Sequence, residues 1–295
     1  MRKVKKVGLV ANLTKEKALS CTSDLASWLE SRGIEVLWEK TLAKKEKKDG
    51  LELSKLSSSV DLLIVLGGDG TILRTACFAA RSQTPIVGIN LGDFGYLTEV
   101  NLGEVYSALE IILAGGGKQS KRMMLEALVN IDEGIRGGFT ALNDVVLNRA
   151  DSQKMIELET YIDDHYLITY RADGLIISTP TGSTAYSLSA GGPIVFPNQD
   201  VIIINPICPH TLTNRPIIVP PTVTVKVILR SPKQGAILSL DGQAVLTLRE
   251  GNILTVKRAE TATILISSPH RDYMEILRSK LGWGSLKMNQ CKRKD

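Results

Sequence analysis

The chain has 295 residues, of which 43% are hydrophobic and 23% charged, and its formal net charge is +5. This length predicts two domains, the apolar content excludes a disordered chain, and no apolar run approaches the ~20 residues of a membrane-spanning helix. The charge is mild and is not gathered with aromatic residues on one segment, so neither a membrane nor a nucleic-acid partner is expected.

The first third of the chain alternates strand-like and helix-like segments. Strands are predicted at 7–11, 34–38, 61–66 and 85–90, and helices at 15–31, 71–81 and 103–114. Segment 40–55 is rich in Lys and Glu and predicts a solvated loop or helix surface. Because strands that alternate with helices form parallel β-α-β units, residues 1–120 predict a doubly wound, Rossmann-like α/β domain.

The pattern changes after three consecutive glycines at 115–117. From residue 121 to 269, short β-rich runs are separated by turn residues, which predicts an all-β, sandwich-like second domain. Apart from a short helix expected after Gly182, helical spacing returns near the C-terminus, so the tail at 270–295 is expected to return to the first domain. The predicted strands are 126–131, 145–147, 156–162, 175–178, 201–204, 222–229, 236–240, 252–256 and 263–266.

The strongest local motif is Gly67-Gly68-Asp69-Gly70-Thr71, which lies where a buried strand ends and a helix begins. Glycines let a backbone approach a phosphate closely, and the free N–H groups of a helix start attract anions. An acid at this point is unusual, because Asp69 would repel phosphate unless it acts as a base or a metal ligand. The alternative is a glycine turn in which Asp69 caps the helix.

A second motif is the segment 171–193, which follows an apolar strand and is dense in Ser, Thr and Gly. Its hydroxyl and amide donors suit sugar and phosphate oxygens, and Tyr186 could stack on an adenine ring. A Ser/Thr/Gly-rich connection without a ligand is the alternative.

Several isolated residues are weaker candidates. Asn143-Asp144 could hold two adjacent ribose hydroxyls, although a turn cap explains it equally well, and Asp241-Gly242-Gln243 by itself predicts a hairpin turn. Arg74, Lys154 and Arg171 are candidate phosphate ligands, although each alone is more often a solvated surface charge.

Other phosphate-binding classes are disfavoured by the same residues. The segment around Gly117-Lys118-Gln119 lacks the hydroxyl of a P-loop, and Leu73 replaces the last glycine of the dinucleotide fingerprint. The tripeptides 93–95 and 270–272 spell the DFG and HRD motifs of protein kinases. They stand in the reverse order, so we interpret them as chance matches.

In combination, these motifs resemble the NAD kinase family, and its bacterial branch closely. The likeness includes 67–71, 90–98, Asn143-Asp144, 171–192, 209–212, 215–216 and 241–243. The motif at 67–71 alone is shared with diacylglycerol and sphingosine kinases, whereas its ordered combination with the long loop is far more specific. The family usually has Asn-Glu where this chain has Asn143-Asp144, a carboxylate shorter by one methylene.

The resemblance implies transfer of the γ-phosphoryl group of ATP to the 2′-hydroxyl of the adenosine ribose of NAD. It implies that Asp69 takes the hydroxyl proton, and that Gly67, Gly68, Gly70 and Thr71 cradle the ATP phosphates. A divalent cation, with magnesium expected, would accompany them through ligands that the sequence does not identify. The residues implied to bind NAD are Asp69, Gly70, Arg74, Asn143, Asp144, Lys154, Arg171, Asp173, Thr184, Ala185, Tyr186, Ser187, Leu188, Ser189 and Gln243.

Within this set the resemblance implies distinct roles. Asn143 and Asp144 would bind ribose and adenine, and Tyr186 would lie against the base. Arg171 and Asp173 would lie near a ribose and the nicotinamide amide. The family also implies a homodimer or homotetramer with its sites near subunit contacts.

Two alternatives to an NAD kinase stay open at this point. A diacylglycerol-type lipid kinase would share the motif at 67–71 but would need an apolar acyl tunnel, which the polar segment 179–189 does not suggest. A non-catalytic dinucleotide-binding regulator would have no use for the negative charge of Asp69.

The expected compartment is the cytoplasm. The four cysteines (Cys21, Cys77, Cys208 and Cys291) form no C-x-x-C pair, so neither a zinc site nor a disulfide framework is expected. The N-terminal residues lack the long apolar region and the cleavage site of a secretory signal.

Overall fold

The first half of the chain is an α/β layer structure, as the alternating pattern predicts. The computed structural model describes residues 4–92, 95–131, 134–151, 154–231 and 235–283. The elements of the first half are β1 (Lys6–Ala11), α1 (Ala18–Glu30), β2 (Glu35–Glu39), α2 (Lys40–Glu46), β3 (Gly50–Leu51), α3 (Leu53–Ser59), β4 (Leu62–Gly67), α4 (Asp69–Ser82), β5 (Ile86–Asn90), β6 (Val100–Asn101) and α5 (Val105–Ile111).

The central strand β4 shows why this sheet is covered on both faces. All six of its residues are buried. Ile64 and its alternate neighbours pack with α1, α2 and α5, whereas Leu63 and Val65 pack with α3 and α4. Side chains that alternate along a strand therefore enter two separate cores, which confirms the doubly wound arrangement.

The strand order defines one special edge of this sheet. The parallel strands lie in the order β3-β2-β1-β4-β5. The chain builds outward from β1 in one direction and from β4 in the other, so the topological switch point lies between these two strands. In open α/β sheets, ligands bind outside the carboxyl ends of the strands at such a point.

The segment 40–55 differs from a plain solvated loop. It contains α2, β3 and the start of α3, and it contributes Leu42 and Ala43 to one core. The Glu39 carboxylate accepts hydrogen bonds from the backbone N–H groups of Thr41 and Leu42, which caps α2. The apolar residues hidden among the lysines explain the difference from the predicted surface.

In its described residues, the second half is rich in β structure and contains one short α-helix before the tail. Four of its strands (β8, β11, β14 and β17) are absent from the strands predicted above. Its elements are β7 (Gln119–Ile131), β8 (Gly134–Ala141), β9 (Asp144–Arg149), β10 (Ile156–Ile162), β11 (His165–Ala172), β12 (Gly174–Ser178), α6 (Tyr186–Ser189), β13 (Ile202–Ile207), β14 (Ile217–Val219), β15 (Val225–Leu229), β16 (Ala236–Leu240), β17 (Gln243–Leu248), β18 (Ile253–Ile266) and α7 (Tyr273–Leu281).

Two stacked sheets enclose the core of this half, as the sandwich prediction requires. Among the described residues, β14-β13-β12-β9-β16-β17 form a six-stranded sheet, and the other twelve strands form one continuous sheet. Leu175 and Ile177 of the smaller sheet share a core with Leu158 and Val227 of the larger one.

The larger sheet runs through both halves of the molecule, which the sequence did not predict. The segments expected as strands 252–256 and 263–266 are one strand, β18, which pairs with β7 and β15 and, through Leu265, with β5. A register shift between Arg258 and Ala262 interrupts its apolar pattern, which explains the prediction of two strands. The strand β7 begins at Gln119, one residue before the domain boundary predicted at residue 120. The division of the chain into two domains at this point stays a prediction.

The described part of the tail packs against the first half, as expected. Ile276 and Leu277 of α7 are buried. Arg271 forms a bidentate ion pair with Glu104, and the backbone N–H of Ser268 donates to the buried Glu99. The HRD tripeptide thus anchors the tail, and Asp272 caps α7. Residues 284–295 lie outside the described residues. Among the residues that the structure describes, no helix is long and apolar enough to cross a membrane.

Candidate functional site

The motif 67–71 lies at the switch point of the parallel sheet. Gly67 ends β4, and α4 begins at Asp69. Beside it, the turn that follows β1 is held by Asn12, whose side-chain oxygen accepts hydrogen bonds from the N–H and hydroxyl groups of Thr14. A cleft of about 410 Å³ separates the two segments and is lined by Ala11, Asn12, Leu13, Thr14, Lys15, Thr41, Gly68, Gly70, Thr71 and Arg74.

The glycines of the motif have two different roles. A Cβ at Gly67 would crowd the hydroxyl of Thr71, so close packing requires this glycine. A Cβ at Gly68 or Gly70 would meet nothing within 4 Å, which leaves open space above the start of α4. The first amides of a helix point into such space and favour an anion there.

The carboxylate of Asp69 is bound by the neighbouring loop. Its Oδ1 accepts from the backbone N–H groups of Leu97 and Thr98 at 3.0 and 3.2 Å, and from the Thr98 hydroxyl at 3.3 Å. Its Oδ2 accepts from the N–H of Tyr96 at 2.8 Å. A Cβ at Gly95 would overlap the carboxylate, so this glycine makes the approach possible. Asp69 therefore ties the start of α4 to residues 95–98; the preceding Asp93 and Phe94 lie outside the described residues.

A second carboxylate has the same arrangement in the β-rich half. Asp241 and Gly242 form the two-residue turn between β16 and β17, both with positive φ, as predicted for this hairpin. The Asp241 carboxylate accepts from the backbone N–H groups of Leu142, Asn143 and Asp144 at 2.9, 2.7 and 3.2 Å. The hairpin thereby fixes the connection from β8 to β9, where Asn143 and Asp144 lie.

Asp144 is a buried carboxyl group beside another carboxyl group. Only 4% of the surface of Asp144 is exposed to solvent. Burial, and then the charge of Asp241, raise the pKa of Asp144 to about 7. Burial also raises the pKa of Asp241, although its three amide donors act in the opposite direction. Asp144 can therefore change its protonation state near neutral pH, unlike an ordinary aspartate.

The beginning of the polar loop is joined to this same connection. The Thr179 hydroxyl donates to the Leu142 carbonyl at 2.6 Å, and its backbone N–H donates to the Asn143 carbonyl at 2.9 Å. A Cβ at Gly182 would overlap the Asn143 carbonyl, so only glycine fits there. The second motif and Asn143-Asp144 therefore form one structural unit.

The short helix α6 presents one aromatic ring and hides one hydroxyl group. Tyr186 is 41% exposed, so its ring is available to a ligand. Ser187 is buried, and its carbonyl accepts from the Asn205 amide of β13 at 2.9 Å. The Ser187 side chain thus faces the interior, and contact with a ligand through it stays a prediction, as do the contacts of Thr184, Ala185, Leu188 and Ser189.

Arg74 connects the two halves of the site. It lines the cleft at Gly68 and Gly70, and it also lines a second cavity of about 280 Å³ together with Asp241 and Gln243. This cavity lies between α4 and the β16–β17 hairpin. The phosphate-binding candidate and the hairpin that fixes Asn143-Asp144 are therefore neighbours.

Three predicted residues lie elsewhere. Asp144 is paired with Ser178 at one end of β9 and β12, whereas Gly174 is paired with Asn148 at the other. Asp173 precedes Gly174, and its carboxylate pairs with Arg149 at 2.9 Å. This end lies about 13 Å along the strands from Asp144, at 3.3 Å per residue. Arg171 and the exposed Lys154 belong to the same end, because Ile156 of β10 pairs with Ala172.

Some residues of the site were not predicted from the sequence. Lys15 and Thr41 line the phosphate-side cleft, but each comes from a segment without a motif. Asn205 directly follows the predicted strand 201–204 and belongs to no motif. The position of Asn12 directly after the first strand was the available signal, since the carboxyl ends of parallel strands share one edge.

The described residues contain no group of three or more His, Cys, Asp and Glu side chains that could hold a metal ion. Magnesium typically takes one or two protein carboxylates together with substrate phosphates and water. The carboxylate of Asp69, beside the open backbone of Gly68 and Gly70, is a donor of this kind.

Comparison with known families covers both halves of the chain. Residues 7–117 match the model of the ATP-NAD kinase N-terminal domain, and residues 142–268 match that of the ATP-NAD kinase C-terminal domain. Among curated relatives, the NAD kinase of Syntrophotalea carbinolica is 43% identical over 283 residues, and that of Geobacter sulfurreducens 44% identical over 282. Each alignment covers 95% of this chain and 99% of the relative.

Two solved structures share the fold. The yeast NADH kinase complexed with NADH superposes with a TM-score of 0.88 at 26% identity, covering 97% of this chain and 89% of that one. An NAD kinase from Archaeoglobus fulgidus in complex with ATP gives 0.73 at 25% identity, covering 94% and 97%. The structure thus resembles proteins that were solved with a dinucleotide and with ATP.

Proposed function

Because the chain belongs to the NAD kinase family, we propose that it transfers the γ-phosphoryl group of ATP to the 2′-hydroxyl of the adenosine ribose of NAD. The observation that carries this proposal is the start of α4. There, the open backbone at Gly68 and Gly70 lies next to a carboxylate, at the switch point of the sheet. Phosphoryl transfer needs this combination of anion-binding amides and an oriented nucleophile.

Asp69 acts as the base in this proposal. Its Oδ2 accepts only one of the hydrogen bonds described above, from Tyr96, while Oδ1 accepts three. A carboxylate oxygen has two lone-pair positions, so Oδ2 can accept the ribose hydroxyl as well. Its amide partners hold the carboxylate in one orientation, which is the condition for a positioned proton acceptor.

NAD would occupy the side of the site formed by the β-rich half. Asn143 and Asp144 offer an amide and a carboxylate to ribose hydroxyls, and the exposed ring of Tyr186 offers a surface for adenine. Arg74 and Gln243 line the adjoining cavity and would contact the same substrate. The backbone at Gly67, Gly68, Gly70 and Thr71 would hold the ATP phosphates, accompanied by a divalent cation, with magnesium expected.

A second copy of the chain would complete the site. Lys154, Arg171 and Asp173 lie at the far end of β9 and β12 from Asp144, so one protomer does not bring all the proposed NAD ligands together. In a homodimer or homotetramer, this end of one protomer could meet the NAD side of another. We further assign the reaction to the cytoplasm, which suits the free thiols of Cys21, Cys77 and Cys208.

The test is incubation of the purified protein with NAD, ATP and Mg²⁺, followed by detection of NADP with an NADP-specific dehydrogenase. Parallel reactions replace ATP by polyphosphate, NAD by NADH, and NAD by diacylglycerol. We expect NADP from NAD and ATP and no phosphorylated lipid. Failure to form NADP with either donor would refute the proposal, and phosphorylation of the lipid alone would favour a lipid kinase.

A further inference from the structure

We propose that Asp241 is a positioning residue for this reaction, and that its carboxylate sets the geometry of Asn143-Asp144 through three backbone hydrogen bonds. The inference rests on the proposed function, because it assumes that these two residues bind NAD. Asp241 itself needs no contact with either substrate. It acts through the connection from β8 to β9.

The hydrogen bonds single out the carboxylate of Asp241. Three consecutive amides, from Leu142 to Asp144, point at its two oxygens. In the opposite direction, the N–H of Asp241 donates to the carbonyl of Asp144 at 3.0 Å. The connection and the hairpin therefore hold each other from both sides, and the pairing of Val145 with Leu240 continues the contact into β9 and β16.

The turn alone does not explain an aspartate at this position. Asp241 has a φ of +50° and is followed by Gly242 at +78°. Asparagine or glycine serves such a turn equally well. An amide has a single acceptor oxygen, however, and its nitrogen would face a donor at the second oxygen position. Only a carboxylate can accept from all three amides.

The charge of Asp241 also acts on its neighbour. It contributes, after burial, to the raised pKa of Asp144. On the other side of Asp241 lies α4, where Arg74, Cys77 and Arg81 line the same cavity as Asp241. Burial, and to a smaller extent the charge of Asp241, raise the pKa of the Cys77 thiol. Removal of the Asp241 charge should therefore lower the pKa of Asp144 while its burial remains. The ionised carboxylate is the form that accepts hydrogen bonds from hydroxyl groups, so activity should fall as pH drops through that pKa.

The experiment compares the wild type with Asp241→Asn and with a matched control, Asp61→Asn. Asp61 also accepts from two consecutive amides, those of Lys5 and Lys6, but it lies at the opposite end of β4 from the site. For Asp241→Asn we expect KM for NAD to rise, kcat/KM for NAD to fall at least about tenfold, and KM for ATP to change less than about twofold. In the plot of activity against pH, the fall on the acidic side (the acidic limb), which we expect at about pH 7 in the wild type, should move to lower pH. The control should change none of these quantities.

Two outcomes would overturn the inference: an unchanged KM for NAD, or a fall in activity with the acidic limb unmoved, which a merely structural role would give. Should the Asn variant not fold, Asp241→Glu keeps the charge and displaces the carboxylate. It should raise KM for NAD and leave the limb in place, and an unchanged KM would again refute the role.

Hydrogen exchange separates this inference from the proposed function. If the wild type makes no NADP, the proposed function fails, but exchange at the amides of 142–144 still reports on Asp241. Exchange of those three amides that is at least about tenfold faster in Asp241→Asn than in the wild type would support the positioning role. Equal exchange would refute it.

Discussion

Two aspartates, Asp69 in the α/β half and Asp241 in the β-rich half, use the same device in different surroundings. Each carboxylate accepts from three consecutive backbone amides of a neighbouring loop, 96–98 for Asp69 and 142–144 for Asp241. Each is followed by a glycine. Asp69 begins a helix beside open space, whereas Asp241 lies in a hairpin turn against a buried carboxyl group.

The difference shows that the same bonding pattern can serve two purposes. At Asp69, the amides orient a carboxylate that has capacity left for a substrate. At Asp241, the carboxylate orients the amides, and so it places Asn143 and Asp144. In our account, the first aspartate is part of the chemistry and the second supports it, and the predictions below test that distinction.

The largest effect is expected from Asp69→Asn. The amide cannot take the hydroxyl proton, so kcat should fall by roughly 10²–10⁴-fold. The dissociation constant for NAD, measured by calorimetry, should change far less, because Asn143, Asp144 and Tyr186 remain. Turnover close to that of the wild type would remove Asp69 from the role of base and make the two aspartates alike.

The second effect concerns the free energy of unfolding, which ionisation of the buried Asp144 carboxyl group lowers. The unfolded chain ionises Asp144 near its ordinary value of 3.8, whereas the folded protein holds it protonated up to about pH 7. The folded state therefore loses stability as pH rises through this window, by roughly 2–4 kcal/mol in total.

Asp144→Asn removes that loss. Its Tm at about pH 8 should exceed that of the wild type by roughly 5 °C, although its KM for NAD should rise. The gain should vanish below about pH 4, where both states of the wild type are protonated. Calorimetric scans at the two pH values test this, and a Tm at the higher pH equal to or below the wild-type value would contradict a penalised carboxyl at this position.

The smallest effect is expected from Tyr186→Ala. The loss of stacking on the adenine should weaken NAD binding by about 1 kcal/mol, or roughly fivefold, without a matching change for ATP. Equilibrium titration with each nucleotide measures both affinities. Tyr166→Ala provides a matched control, since Tyr166 is also an exposed tyrosine and its ring contacts Tyr161 of the β10–β11 hairpin. Equal NAD affinity in Tyr186→Ala and the wild type would exclude the stacking contact.

Sequence periodicity was sufficient for the fold class and for most of the α/β half. Strand 61–66 and helix 71–81 were predicted because their apolar residues follow simple patterns. The single strand β18 was not, since Arg258 and Glu260 interrupt its pattern where the register shifts. Pairing between distant strands, such as Leu265 with Ile86, depends on packing that no local pattern encodes.

The candidate site was predictable where a motif marks a strand end and less so elsewhere. Gly67–Thr71 lies at the switch point of the parallel sheet. Asn143-Asp144 lies at the start of β9, next to the hairpin that borders the Arg74 cavity. Asp241 was interpreted as a turn residue, because a turn needs only its backbone, while its three amide partners are about 100 positions away in the chain. The far location of Arg171 and Asp173 follows from strand direction, which the motif alone does not contain.

The most direct test of the account is to locate the transferred phosphate. Wild-type protein is incubated with NAD and with ATP radiolabelled in the γ-phosphate, and the dinucleotide product is cleaved to identify the labelled hydroxyl. We expect the label on the 2′-hydroxyl of the adenosine ribose, and its near absence in Asp69→Asn. A dinucleotide without label, or with label at another hydroxyl, would contradict the central claim.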